Sequence, residues 1–202
     1  MLNKVCRASL VAMAVTFPAF SLAALGTSKS EVRYPARQII VRLNAALRNP
    51  APYSGVFKGD PRFGRLATVT DCEGTAGIAQ EKLYTCRLSG LPVAPQGTVF
   101  IDTTAGRVTV ASIEIESTKP GDVGAGALAS MSFILASTAM VIAVDPLAMH
   151  YGIAAKRKVT QIMEALLPTD PRETTNTVQS DGLEFKRALV PNGQMLSIRP
   201  AE

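Results

Sequence analysis

Two cysteines are the residues of this chain with the most specific chemistry. Cys72 and Cys86 stand 14 positions apart, and the third cysteine, Cys6, lies close to the N-terminus. This separation does not match the Cys-x-x-Cys motif of redox and zinc sites, and His150 is the only histidine that could complete a metal site. The pair therefore predicts a structural disulfide, which would close a loop of about 15 residues and contribute roughly 3 kcal/mol of stability.

Acidic residues are the other candidates for chemistry, because paired carboxylates can serve as general acid and base. Glu114 and Glu116 lie two positions apart on a predicted strand, which places both on the same, solvent-facing side. A solubilising pair explains them better than catalysis does. An enzyme that uses Asp71, Glu73 or Glu114 is nevertheless kept as a third hypothesis.

Motifs for catalysis or cofactor binding are missing from the sequence. It contains no Gly-x-Ser-x-Gly, phosphate-binding loop, dinucleotide fingerprint or His-Glu-x-x-His. His150, beside Tyr151 near the start of a predicted helix, would need a nucleophile that we cannot place. We therefore predict no catalytic, cofactor-binding or metal residues. Whether the protein is an enzyme stays undecided, and the sequence favours the negative answer.

The N-terminus has the pattern of a secretory signal peptide. Lys4 and Arg7 precede an apolar run of small residues, and Ser21-Leu22-Ala23 supplies small residues at the cleavage positions. A retained membrane anchor is the alternative, but Pro18 and the short apolar run disfavour it. We predict a cleaved peptide over residues 1–23, a single domain over 24–202, and an exported protein in the periplasm or outside the cell, where a disulfide can form.

Charge and composition argue against nucleic acid as a partner. The chain has 21 basic and 16 acidic residues, a net charge of +5. Lys4 and Arg7 leave with the peptide, so 19 basic residues against 16 acidic ones give a mature charge of only +3. With no Trp and 5% aromatic residues, a surface for stacking bases is also poorly supplied.

The remaining chain predicts an α+β domain with an antiparallel sheet of about five or six strands and three helices. A helix has Pro35 at its first position and stops at Asn49-Pro50, with Arg37, Asn44 and Arg48 on its polar face. Residues 50–66, rich in Pro, Gly and aromatics, form a loop that either folds back on the core or lines a binding site. The strands are predicted at 65–71, 81–88, 98–102, 107–117, 183–189 and 195–198.

Turn signals and breaks in periodicity give finer expectations. Gly106 supplies a positive φ in the hairpin turn at 103–106, and Gly193 does the same after Pro191-Asn192. A bulge near Ala111-Ser112 is expected, because the apolar residues of that strand change face there. Residues 172–180 are taken as a polar link. Asp145 and Pro146 start a third helix that runs to about residue 167.

Residues 123–144 allow two interpretations. The stretch has no charged residue, and as a helix it would be roughly 33 Å long, about the thickness of a bilayer's hydrocarbon core. It is therefore either a membrane span or a strongly apolar core helix. The strands predicted after it need those predicted before it to form a sheet, since an isolated hairpin is marginal. We therefore favour the buried helix.

Two functions from different classes follow. The first is an exported, non-enzymatic envelope or periplasmic protein that binds another protein as an inhibitor, immunity factor or assembly subunit. The alternative is a membrane-tethered envelope component with 123–144 as its single span. The partners expected are another envelope protein, the membrane through 123–144, or a second copy of the chain, and no nucleic acid.

Overall fold

The computed structural model describes residues 32–49, 67–78, 80–91, 96–117, 123–145, 153–168 and 173–202. The predicted signal peptide, the loop at 50–66 and His150 lie outside these residues. The elements in chain order are α1 (Ala36–Arg48), β1 (Thr68–Ala76), β2 (Glu81–Ser89), β3 (Gln96–Thr104), β4 (Arg107–Glu116), α2 (Val123–Val144), α3 (Ile153–Leu166), β5 (Thr175–Ser180), β6 (Leu183–Val190) and β7 (Gly193–Pro200).

One antiparallel sheet contains all the described strands, in the order β1-β2-β3-β4-β7-β6-β5. The predicted α+β class with three helices is confirmed in the described part of the chain. The two halves of the sheet, on either side of α2 and α3 in sequence, join where β4 pairs with β7. The described residues form seven strands rather than the predicted five or six.

The additional strand is β5, within the segment taken as a polar link. Its residues alternate between exposed and half-buried, so the strand has no apolar face that a hydrophobic pattern would reveal. The turn between β5 and β6 contains the sequence signal that indicates this strand. Asp181 and Gly182 both have positive φ, 49° and 74°, and Asp-Gly is a strong hairpin signal.

Helix α1 begins one residue later than predicted, since Pro35 is its N-cap rather than its first residue, and it ends as predicted with Asn49 as C-cap. Asn44 departs from the expectation of a solvated polar face. Its side-chain oxygen accepts the N–H of Val69 at 2.7 Å, and its amide nitrogen donates to the carbonyl of Val69 at 3.1 Å. Asn44 therefore docks α1 on the start of β1, because a side-chain amide can accept from the N–H and donate to the C=O of the same edge-strand residue.

Helix α2 occupies the predicted range, and every residue from Leu135 to Val144 is buried. It packs on α1, on α3 and on the seam between β4 and β7. No helix in the described part of the chain is long and apolar enough to cross a membrane. Helix α3 starts at Ile153, and the start predicted at Pro146 lies outside the described residues.

Strand β4 contains a bulge, as predicted, but in its pairing with β3 and nearer its start. The extra residue is Thr109, opposite Asp102 and Thr103, rather than Ala111-Ser112. The bulge places the side chain of Val108 on the same face of the sheet as that of Ala111, and both are buried.

Gly193 does not have a positive φ; it opens strand β7. A Cβ there would lie 2.0 Å from the carbonyl oxygen of Ile115, so only glycine lets β7 approach β4 so closely. Gly106 does adopt its predicted positive φ, 80°, next to Ala105 at 52° in the β3–β4 turn.

Candidate binding face

The two faces of the sheet differ in what covers them. Side chains directly opposite one another in paired strands share a face. The row through Cys86, Val99, Ile113 and Leu196 is buried beneath the helices. The alternate row runs across all the strands and faces away from α1, α2 and α3. We call this second side the open face; the row consists of Glu73, Thr85, Phe100, Ser112, Ser197, Lys186 and Thr177.

A groove of about 480 Å³ lies on the open face, where β1, β2 and β3 run beside the disulfide. We call it the disulfide groove. Two acids, Asp71 and Glu73, line it together with the guanidinium-bearing Arg87 and the hydroxyls of Thr85 and Thr98. This mixture of both charges with short hydroxyl side chains can orient a polar partner by hydrogen bonds and charge complementarity.

A second groove of about 490 Å³ opens at the other end of the same strands. Leu83, Asp102 and Val110 lie in one row across its floor. Leu83 is 37% exposed, which makes it one of the few large hydrophobic side chains that reach solvent in the described residues. The two grooves together leave the β1–β3 part of the open face concave at both ends and mixed in polarity.

The predicted disulfide between Cys72 and Cys86 is present. Cys72 is exposed at an irregularity of β1, where the register shifts between Thr70 and Glu73, and Cys86 is buried on β2. Asp71 adopts a positive φ of 50° at this point. The covalent bond therefore fixes the bulged strand that forms the rim of the disulfide groove.

The candidate carboxylates are only partly brought together. Asp71 and Glu73 both line the disulfide groove, whereas Glu114 lies farther along the open face, opposite Thr98 and Met195. Burial raises the pKa of Glu114, and the charge of Glu116 raises it further. The described residues hold no group of three or more His, Cys, Asp or Glu that could bind a metal ion.

Arg42 is a buried residue that the sequence analysis missed. Its Nε donates to the carbonyl of Ala143 at 2.5 Å, and its Nη2 donates to those of Asp145 at 2.7 Å and Ile142 at 3.3 Å. Its guanidinium also stacks 4.0 Å from the ring of Tyr34. Burial lowers the pKa of Arg42, and electrostatic interactions with Tyr34 and Asp145 act against that shift. Arg42 thus caps the C-terminus of α2, where a cation is favoured.

Two further basic side chains, Arg187 and Lys158, make polar contacts on the side of the sheet that the helices cover. Arg187 is 5% exposed and donates through Nε to Gln194 at 3.0 Å, and Gln194 donates to Ser130 of α2 at 3.0 Å. Lys158 of α3 contacts both Asp145, after α2, and Asp181, in the β5–β6 turn. These contacts lie away from the disulfide groove and position the helices on the sheet.

Comparison with protein-family models, with curated proteins and with solved structures finds no match to this chain.

Proposed function

We propose that this protein is exported and binds another protein through the open face of its sheet, in a non-enzymatic role such as inhibitor, immunity factor or assembly subunit. The observation that carries the proposal is the face itself. It spans the whole sheet, none of the described helices covers it, and it bears the disulfide groove. Surfaces of this kind are candidates for interaction sites.

The composition of the open face suits a protein partner. Phe100 and Met195 are half-buried there, and Phe, Met and Arg are enriched in the centres of protein interfaces. Arg87 and Lys186 are exposed on the same face, and the half-buried Glu114 lies directly opposite Met195, so charges of both signs accompany these apolar side chains. Charged groups at an interface contribute to specificity and to the rate of association more than to affinity.

The strands that carry this surface are tied together, which supports binding as well. They belong to one hydrogen-bonded sheet, and the disulfide joins the edge strand β1 to β2. A surface that is ordered before it meets its partner avoids the entropic cost of ordering side chains and backbone on association.

Export is the second part of the proposal. A disulfide indicates a non-reducing environment, which agrees with the leader expected at residues 1–23. Residues 123–144 then act as the core helix of the exported domain rather than as a span, and the burial of Leu135 to Val144 supports this role. Intact mass of the exported protein should correspond to a chain that begins at Ala24.

Site-specific photocrosslinking in the exporting cell tests the binding face. A photoreactive amino acid at Thr85, in the disulfide groove, should give an adduct with one protein of defined mass. The same amino acid at Val41, which is 67% exposed on α1, is the matched control and should give none. Adding Arg87→Glu should abolish the Thr85 adduct while leaving the melting temperature unchanged. Adducts at both positions, or at neither, would contradict the proposal.

A further inference from the structure

Strand β5 leaves one edge of the sheet unpaired in the described part of the chain, since its one neighbour is β6. Its six residues include no charge, Pro or Gly, and its register with β6 has no bulge. Exposed edges normally carry such features, because a regular edge is a template for another strand. Within the described residues nothing pairs with this edge of β5, which can therefore accept a further strand.

The backbone groups at this edge follow from the pairing with β6. The N–H of Leu189 donates to the carbonyl of Thr174 at 2.8 Å. Because hydrogen-bonded pairs alternate along antiparallel strands, the even-numbered residues of β5 bond to β6. Thr175, Thr177 and Gln179 then direct their N–H and C=O groups outward, with Thr177 at the centre.

Helix α3 lies over β5 and β6, beside this edge. Lys158 is on the flank of α3 that faces α2, since it contacts Asp145. At about 100° per residue, the opposite flank is formed by residues that are all exposed. We call them the α3 stripe; they are Ile153, Lys156, Thr160, Glu164 and Leu167. The α3 stripe therefore overhangs the open edge of β5.

The α3 stripe is symmetrical in spacing and complementary in charge. Lys156 and Glu164 stand four residues on either side of Thr160, and Ile153 and Leu167 stand seven on either side. A two-fold axis beside Thr160 would place each Lys156 against the Glu164 of a second copy, and each Ile153 against the other's Leu167. Ile153 is 79% exposed and Leu167 41%, so this contact would remove two exposed hydrophobic side chains per copy from water.

We propose that two copies of this chain associate through the β5 edge and the α3 stripe. In the dimer the β5 strands pair antiparallel about Thr177, and the two sheets become one continuous sheet. Self-pairing of this kind is isologous, which requires a surface that complements itself. The contact is separate from the disulfide groove, at the opposite edge of the sheet, so the dimer presents two copies of the open face.

The dimer is expected to be weak. A six-residue strand and one helix flank bury less than the roughly 1,200 Å² of a standard interface, so we expect a dissociation constant of roughly 10 µM. Sedimentation equilibrium of the purified exported protein, from about 1 to about 300 µM, should show a monomer–dimer equilibrium.

Charge exchange on α3 tests the geometry. Lys156→Glu and Glu164→Lys should each raise the dissociation constant roughly tenfold, because each puts two like-charged pairs across the axis. The double variant should return to within roughly threefold of the original value, because it restores opposite charges. Thr177→Pro removes an outward N–H that β6 does not use, and should abolish the dimer while circular dichroism stays unchanged.

Several results would overturn the proposal. They are a monomer throughout the concentration range, a dimer indifferent to the single charge changes, and a double variant no better than the single ones. The charge variants lie on an exposed helix flank, so they remain informative if Thr177→Pro fails to fold.

Discussion

The two edges of this sheet are built in opposite ways. Strand β1 is bulged, carries Asp71 and Glu73, and is joined to its neighbour by a disulfide. Strand β5 is regular and uncharged, and its turn is held to α2 and α3 by the ion pairs of Lys158. A bulge and charges discourage strand addition. The difference indicates that β1 bounds a fixed groove, whereas β5 is an edge at which the sheet can be extended.

Both edges belong to one cooperative sheet through the seam at Gly193, and breaking that seam should have the largest effect. Gly193→Ala places a Cβ 2.0 Å from the carbonyl of Ile115, so the backbones must separate. We expect a loss of at least about 3 kcal/mol in urea unfolding. Gly126→Ala in α2 is the control, because a Cβ there meets nothing within 4 Å. A loss at Gly193 no greater than that of the control would mean that the seam is not tight.

The covalent anchor of β1 should give the next largest effect. Cys72→Ala opens a loop of about 15 residues and should lower the free energy of unfolding by about 3 kcal/mol under oxidising conditions. In reductant the variant and the wild type should differ much less, because neither then has the bond. An equal loss in both conditions would show that the cysteine side chains act through packing instead.

The electrostatic anchor of β5 should contribute less. Lys158→Met removes an ammonium from the carboxylate of Asp145, whose side chain is 5% exposed, and from that of Asp181, which is 66% exposed. Solvent screens the second pair, so we expect a loss of about 1.5 kcal/mol in urea unfolding. Lys186→Met, at an exposed position of β6, should change stability by less than about 0.5 kcal/mol. Equal losses for the two variants would mean that the ion pairs of Lys158 stabilise the fold no more than an exposed lysine does.

The contribution of Lys158 to stability should also depend on alkaline pH, and this is the smallest effect that we expect. Burial lowers the pKa of Lys158, but hydrogen bonds to Asp145 and Asp181 outweigh it, so the pKa lies above the usual 10.5. A raised lysine pKa means that the contribution is complete below the unfolded-state value and is lost as pH rises through the folded-state value. The stability gap between wild type and Lys158→Met should therefore be constant near neutral pH and close above about pH 10.5. A stability difference that stays unchanged at high pH would mean that Lys158 stabilises the fold through packing of its methylenes rather than through its charge.

The sequence predicted best the elements that bury hydrophobic residues. Apolar spacing and the Asn49-Pro50 break marked the end of α1, whereas α2 was marked by an uncharged run between Asp122 and Asp145. Strand β5 was missed because an edge strand of polar residues has no apolar face. The Asp181-Gly182 turn was the local signal that could have revealed it.

The disulfide was predictable for a different reason, since loss of the predicted signal peptide with Cys6 would leave two cysteines, which allow one pairing. The disulfide groove was not, because it depends on which strands become neighbours and on a bulge at Asp71. Arg42 and Arg187 were missed because a buried arginine looks polar in any hydrophobic pattern. The phase of Arg42, three residues after Ile39 and on the buried side of α1, was its available signal.

Hydrogen exchange followed by mass spectrometry at two protein concentrations tests the contrast between the edges most directly. Peptides covering 175–180 and 68–76 report on β5 and β1 in the same sample. We predict that raising the concentration from about 1 to about 300 µM slows exchange in 175–180 and leaves 68–76 unchanged, because strand addition occurs only at β5. Exchange that is independent of concentration at both edges, or slowed equally at both, would contradict this account of the sheet.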